Sequence, residues 1–245
     1  MRKIGLLGGM SWESTATYYR LINEGVRESM GGLSSADILL RSLDFQTVVA
    51  LQKADRWDQA ARLLGGAAQG LEAAGADCIL ICTNTMHLVA EQVAASCDVP
   101  LIHIIGETAK TLNAAGHHRP LLLATRYTME HGFYAEHMKR YGLEVVIPDA
   151  DDRLICHNVI FDELCQGVVS ERARQALIDM TRRGAVQGAD SVILGCTELG
   201  LSVDAACLPL PCFDSTHIHA RAAVDFALGD ITILTQNYAQ DGAYI

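Results

Sequence analysis

Residues 73–88 read AAGADCILICTNTMHL, and residues 186–201 read VQGADSVILGCTELGL. Each is Gly-Ala-Asp, then an apolar run, then a small or polar turn. Laying Gly75 on Gly188 sets Thr83 opposite Cys196, Asn84 opposite Thr197 and Thr85 opposite Glu198. The apolar runs are strand-sized and do not alternate with polar residues, the pattern of parallel strands covered on both faces. The chain thus holds two copies of one plan, a buried strand ending in a polar turn. Two half-sites built this way can approach a single small molecule from opposite sides.

The same reading extends along the chain. Ile4–Leu7, Ile38–Leu40, Cys78–Cys82, Leu101–Ile104, Leu121–Ala124, Val145–Ile147, Val192–Gly195 and Pro211–Phe213 are expected strands. Amphipathic stretches near 12–28, 57–74, 86–96, 106–115, 130–140, 153–166, 171–187 and 215–228 are expected helices. Strand-helix alternation predicts an α/β fold with parallel sheets. Leu6–Tyr19 faintly matches Leu121–Tyr134, and a proline marks a fourth strand after each copy, at Pro100 and at Pro209 and Pro211. The expectation is two similar four-stranded units, 1–103 plus 211–228 and 104–210, with the final helix packed back on the first. Residues 229–245 fit neither copy and read as a loosely ordered tail, with Ile231–Leu234 its only strand-like hint.

Composition narrows the function. The chain has 245 residues, half of them hydrophobic, and a formal charge of −10. An acidic protein is a poor match for nucleic acid, whose phosphates need a basic surface. A small anion is not excluded, because helix N-termini can hold one locally. No apolar run approaches the ~20 residues of a membrane helix, and the N-terminus reads as a first strand rather than a signal peptide. Eight cysteines without a CxxC pair or zinc spacing read as free thiols of a reducing cytosol, hence a cytoplasmic protein. No metal site is expected: His217 and His219 are two apart and share no helix face. None of Lys3, Lys53, Lys110 and Lys139 lies in a recognisable pyridoxal-phosphate setting.

In open parallel sheets ligands sit beyond the carboxyl ends of strands. Three such ends carry suitable residues, Gly8-Gly9-Met10-Ser11, Thr83-Asn84-Thr85 and Cys196-Thr197-Glu198, each leading into an expected helix. Gly8-Gly9 lacks the G-x-G-x-x-G spacing of a dinucleotide loop and reads as a tight turn with substrate as its close neighbour. A thiol at Cys196, before a helix start, is expected to have a lowered pKa; an inward Glu198 would oppose that. The competing reading is a buried, inert cysteine. His87 either orients the first motif or simply packs.

Four motifs carry a family resemblance: IGLLGGMSWEST at 4–15, CTNTMH at 82–87, LLLATRYTM at 121–129 and GCTELG at 195–200. With them the chain resembles the cofactor-independent aspartate/glutamate racemases over nearly all of residues 1–228. The resemblance implies two pseudosymmetric α/β domains with an active site in the cleft, no cofactor, and a homodimer. It also implies a small acidic amino-acid substrate racemised by two groups flanking Cα. Family members carry a Cys where this chain has Thr83. Cys82 is displaced by one residue, and because successive strand side chains point to opposite faces, Thr83 is the expected site residue and Cys82 core. Thr83 and Cys196 are then the catalytic pair, in a variant that resembles the L-preferring branch.

Charge gathers on the α-carboxylate as Cα loses its proton, so donors there stabilise the transition state. Asn84, Thr85 and Thr197 are suitable, with Glu198 in the same turn and Met10 and Ser11 at a third corner. Arg126 and Thr128 are expected near a side-chain carboxylate, with Gln52 on the loop after the second strand. The family's basic ligand on that loop has no match, and another usual cationic position falls near Cys165. Rival readings are a thiol-dependent decarboxylase, a maleate-type isomerase, or a non-catalytic binder of acidic amino acids.

Overall fold

The apolar runs form short parallel strands in two separate sheets. In the computed structural model residues 1–240 are described, with side chains through residue 229. The first sheet holds β1 (Ile4–Gly8), β2 (Ile38–Ser42) and β3 (Cys78–Ile81), in the order β2-β1-β3. Ile4 registers with both Ile38 and Cys78. The second holds β4 (Pro120–Leu123), β5 (Ser191–Leu194) and β6 (Cys212–Asp214), in the order β4-β5-β6. The central strands β1 and β5 are buried along their whole length, which is why they read as unbroken apolar runs.

Each sheet is one strand shorter than the sequence suggests, and proline is the reason. Leu101 makes a single parallel bridge to Ile79, and Val146 a single bridge to Leu121. At the first bridge the Pro100 carbonyl accepts from Ile79 N–H at 2.9 Å, but Pro100 has no N–H to extend the ladder. Pro148 limits the second bridge in the same way. If the bridging residues are counted, both sheets follow the order second, first, third, fourth in the chain. The weak position is the fourth in one sheet and the second in the other.

The helices are α1 (Trp12–Met30), α2 (Phe45–Lys53), α3 (Trp57–Ala73), α4 (Ala90–Ala94) and α5 (Ile104–Ala114). They continue with α6 (Arg126–Glu130), α7 (Phe133–Lys139), α8 (Ala150–Asn158), α9 (Glu171–Val186) and α10 (Ser215–Gln240). Ser11 caps α1 by accepting from Ser14 N–H, and Tyr18, Ile22 and Val26 face the core at helical spacing. Asp44 caps α2 in a segment expected to be loop, so Gln52 stands on a helix and is buried. The stretch expected as one helix from 153 to 166 is α8, then a π turn over Val159–Glu163, then a 3₁₀ turn over Leu164–Gln166. Strands β3 and β5 run into 3₁₀ turns, Thr85–Val89 and Thr197–Leu201, where α-helices were expected. Helix α10 continues through Gln240: Gly229 alone does not break it, and Ile231–Leu234 is helical rather than extended. The expected loose tail is therefore helix as far as Gln240, and residues 241–245 lie outside the described ones.

Contacts divide the chain into two units. The first is Met1–Cys82, Gln92–Ile102 and Ala220 onward; the second is Thr83–Glu91 and His103–His219. This division differs from the one expected from sequence: 83–91, His103 and 211–219 fall in the second unit, and residues 229–240 go with the first. In the first unit, Ala220, Ala223, Val224 and Ala227 of α10 bury against Ile4, Leu6, Tyr18 and Ile22. Small residues allow that approach: a Cβ on Gly25 would lie 3.0 Å from Val224. In the second, Leu121, Leu122, Leu123, Val192, Ile193 and Leu194 pack with Leu112, Leu177 and Met180. Each such side chain contributes about 1.5–3 kcal/mol by leaving water. Among the described residues no helix is long and apolar enough to cross a membrane.

Gly9 turns the chain out of β1 with φ of 83°, and its N–H donates to Thr15 Oγ1 at 2.8 Å. A Cβ there would run into the Leu43 backbone. The close neighbour that requires glycine is thus the chain's own backbone, not a substrate. The second unit also holds a row of histidines. Ring centroids lie 5.8 Å apart for His219–His87, 4.7 Å for His87–His103 and 4.0 Å for the stacked His103–His137. Burial first, then repulsion from neighbouring rings, pushes His87 well below the usual range and His103 down to about 3, and burial lowers His137 as well.

Two outcomes follow for stability. Gly9→Ala should lower it by at least about 1–3 kcal/mol, the cost of a strained left-handed residue, as read by urea denaturation. An unfolded histidine titrates near ~6.5, whereas folded His103 titrates at about 3. Between these values the unfolded chain binds the extra proton. The contribution of neutral His103 is therefore complete above pH ~6.5 and is lost as pH falls toward the folded value, with a slope of up to about 1.4 kcal/mol per pH unit. His103→Asn keeps a residue able to cap α5 and should flatten that slope; an unchanged slope would show that His103 does not carry it.

Candidate active site

The candidate residues of the second unit are organised by hydrogen bonds whose directions can be deduced. Ser215 Oγ has one hydrogen and donates it to the Leu194 carbonyl at the end of β5, 2.8 Å away. It must therefore accept from Asn84, whose Nδ2 lies 3.0 Å off. This fixes the amide orientation and leaves Asn84 Oδ1 buried without a partner in the protein. An unsatisfied buried acceptor costs about 1–3 kcal/mol, so the position favours a ligand that brings a donor. His87 is fixed the same way. Ile104 N–H donates to its Nε2 at 3.2 Å, so Nδ1 carries the hydrogen and donates to the Thr83 carbonyl at 2.8 Å. Thr83 itself is half-buried.

Thr85 Oγ1 lies 3.2 Å from Thr125 Oγ1 and 3.0 Å from Thr128 Oγ1, and those two are 3.2 Å apart. This buried hydroxyl triangle sits where Thr125 caps α6. Asn84, Thr85 and His87 thereby fix the first-motif turn to the second unit.

The third element is Cys196-Thr197-Glu198, after β5. Cys196 Sγ donates to Glu198 Oε2 at 2.9 Å, and Thr197 Oγ1 donates to the same oxygen at 2.7 Å. Glu198 is 7% exposed, while Cys196 and Thr197 are half-buried. Burial and the Glu198 charge push the Cys196 thiol well above its ordinary range. The expected lowering is thus reversed: the turn that follows is 3₁₀ rather than α-helix, and the carboxylate points inward. Cys165 lies near enough to add to the upward shift, and its 3₁₀ turn packs on Thr197–Leu201. Cys82, by contrast, is fully buried in the first unit's core beside Ile4 and Leu6.

The remaining candidates are engaged within their own units. Met10 and Ser11 are buried in the first unit, with the Ser11 hydroxyl engaged in the α1 cap, and Gln52 is buried on α2. Arg126 is half-exposed and paired with Glu130 through Nε and Nη2, both at 3.2 Å, while Glu130 also takes Arg153 at 3.1 Å. The i,i+4 spacing of Arg126 and Glu130 foretells that pair. Sequence reasoning missed Thr125 and Ser215. The capping position of Thr125 before Arg126 was a readable signal, but nothing local joins Ser215 to Asn84. Among the described residues no group of three or more His, Cys, Asp or Glu is placed to hold a metal ion.

Chemically, the cluster offers a protonated thiol with a buried carboxylate to receive its proton, an orphan acceptor, and a set of neutral donors. Comparisons with known proteins identify the family. The sequence matches the Asp/Glu/Hydantoin racemase family over residues 7–223. It is 26% identical over 224 residues to the broad specificity amino-acid racemase RacX of Bacillus subtilis (strain 168), covering 90% of this chain and 96% of that protein. A crystal structure of a Yersinia pestis protein assigned to the Asp/Glu racemases shares 47% identity with a TM-score of 0.88, over 93% of this chain and 100% of that one. An aspartate racemase homologue from Pyrococcus horikoshii OT3 shares 33% identity with a TM-score of 0.83, over 93% and 99% of the two chains. With the family matched over most of its length, this chain is an enzyme of the racemase class and belongs to the Asp/Glu/Hydantoin racemase family.

Proposed function

We propose that this protein racemises a free α-amino acid without a cofactor, with Cys196 removing the Cα proton of the L form and Thr83, through a water, supplying one to the opposite face. The observation that supports the reading best is the chain of hydrogen bonds Asn84–Ser215–Leu194, which ties the turn bearing Thr83 to the strand end that precedes Cys196. Asn84 Oδ1 suits the substrate ammonium, and the hydroxyls of Thr85, Thr128 and Thr197 suit its carboxylate. A hydroxyl without an activating base is a weak acid and a weaker base, so the reverse direction saturates differently. Because enantiomers are equal in free energy, both directions share one kcat/KM, and one-way behaviour reflects saturation alone. Cytoplasmic action as a homodimer belongs to the same reading.

The side chain of the substrate admits two readings. The resemblance implies aspartate or glutamate. The engagement of Arg126 with Glu130 favours a neutral side chain, since a second carboxylate would meet Glu130 as well as Arg126.

Proton NMR in heavy water tests both. L-Glu and L-Asp, with L-Ala, L-Ser and L-Gln alongside, should show which side chains exchange Cα–H. If the acidic pair exchanges fastest, the first reading stands; if the neutral ones lead, the second does. Cys196→Ala should lower exchange by roughly 10²–10⁴-fold, the usual worth of acid–base catalysis; exchange that survives it removes Cys196. Thr83→Cys should raise activity toward the D form, and an unchanged D/L ratio would count against Thr83.

A further inference from the structure

We propose that Glu198 is a catalytic residue in its own right: it takes the thiol proton from Cys196 and holds it while the thiolate works at Cα. The inference rests on the racemase reading and extends it. Its basis is geometric. Glu198 Oε2 accepts from Cys196 Sγ at 2.9 Å and from Thr197 Oγ1 at 2.7 Å, within three consecutive residues of one tight turn. The carboxylate is buried, and the sulfur faces it directly.

A proton leaving Cys196 has two destinations. Loss to bulk water would leave a thiolate and a carboxylate side by side, two like charges in a poorly solvated turn. Transfer to Glu198 leaves one negative charge in place of one, so the burial that opposes ionisation to solvent does not oppose the internal step. Thr197 remains as a donor to the carboxyl group throughout. The other half of the repeat has Thr85 where this half has Glu198, and Thr83 where it has Cys196. Within the repeat the carboxylate thus accompanies the sulfur, and the matching position of the other turn holds a hydroxyl.

The steps balance. The S–H bond of Cys196 breaks and an O–H bond forms on Glu198. The thiolate then takes the Cα proton of the L-amino acid, the electron pair of that C–H bond remaining in the carbanion. A proton from the Thr83 side completes the D product. The Cys196–Glu198 pair now holds one proton more than at the start and the Thr83 side one fewer, and exchange with solvent restores both.

The alternative is that Glu198 only holds the turn and restrains the thiol. The two accounts differ in sign. Glu198→Gln removes a neighbouring negative charge, so in either account the Cys196 thiol should titrate lower, measured as the pH dependence of its alkylation by iodoacetamide with peptide mass spectrometry. If Glu198 accepts the proton, Cα exchange in heavy water should nevertheless fall by roughly 100-fold or more. Glu198→Asp, which keeps a carboxyl group, should recover part of the rate. Exchange in Glu198→Gln within about threefold of wild type would overturn the inference while leaving the racemase reading intact, as would Glu198→Asp no better than Glu198→Gln. Wild-type protein that exchanges Cα–H of no amino acid would overturn the racemase reading and this inference with it.

Discussion

Ser215 has a single hydroxyl hydrogen, and its donation to the Leu194 carbonyl governs much of what surrounds it. With that hydrogen committed, Ser215 can only accept, so Asn84 must present its amide N–H and turn its carbonyl oxygen away. The first-motif turn is thereby held to the end of β5, although 131 residues of chain separate Asn84 from Ser215. Thr85 adds the hydroxyl triangle, and His87 joins the turn to the start of α5. These bonds explain why residues 83–91 belong to the second unit, although the strand that delivers them belongs to the first. Two turns that are duplicates in sequence become neighbours on one scaffold.

The duplicates have diverged in chemistry while keeping a common frame. Both sheets are parallel and share one strand order once the single bridges are counted, and both motifs end a buried strand. In one copy the turn carries two hydroxyls and an amide. In the other it carries sulfur and a carboxylate in direct contact, and burial together with that contact raises the thiol well above its ordinary range. A thiol raised by burial and a like charge is a poor nucleophile in solution terms. It is well suited to a site where the same carboxylate can receive the proton locally.

Much of this was legible in the sequence, for definable reasons. Strands buried on both faces give unbroken apolar runs, so every full strand was marked. The strands at Leu101 and Val146 were overestimated because a nearby proline removes the donor that a longer ladder needs. Helix α2 was passed over although Asp44 and Thr47 supply a readable cap. Thr83, Asn84, Thr85, Cys196 and Glu198 were visible because the repeat aligns them. The Cys196 shift was read with the wrong sign because a helix start was assumed where the chain makes a 3₁₀ turn. The pairing of Arg126 with Glu130 was readable from their i,i+4 spacing, whereas the contact of Ser215 with Asn84 has no local signature at all.

The orphan oxygen of Asn84 has a consequence for which molecules are turned away. It lies in the same unit as the buried Glu198 anion, and both ask an incoming ligand for hydrogen-bond donors or positive charge. A zwitterion brings both in its ammonium group. An N-acylated amino acid or a cyclic ureide has only a neutral amide at that position and leaves the charge unanswered. On the proposed racemase reading, one amide oxygen and one carboxylate would then filter the nitrogen end of the ligand, separate from whatever selects its side chain.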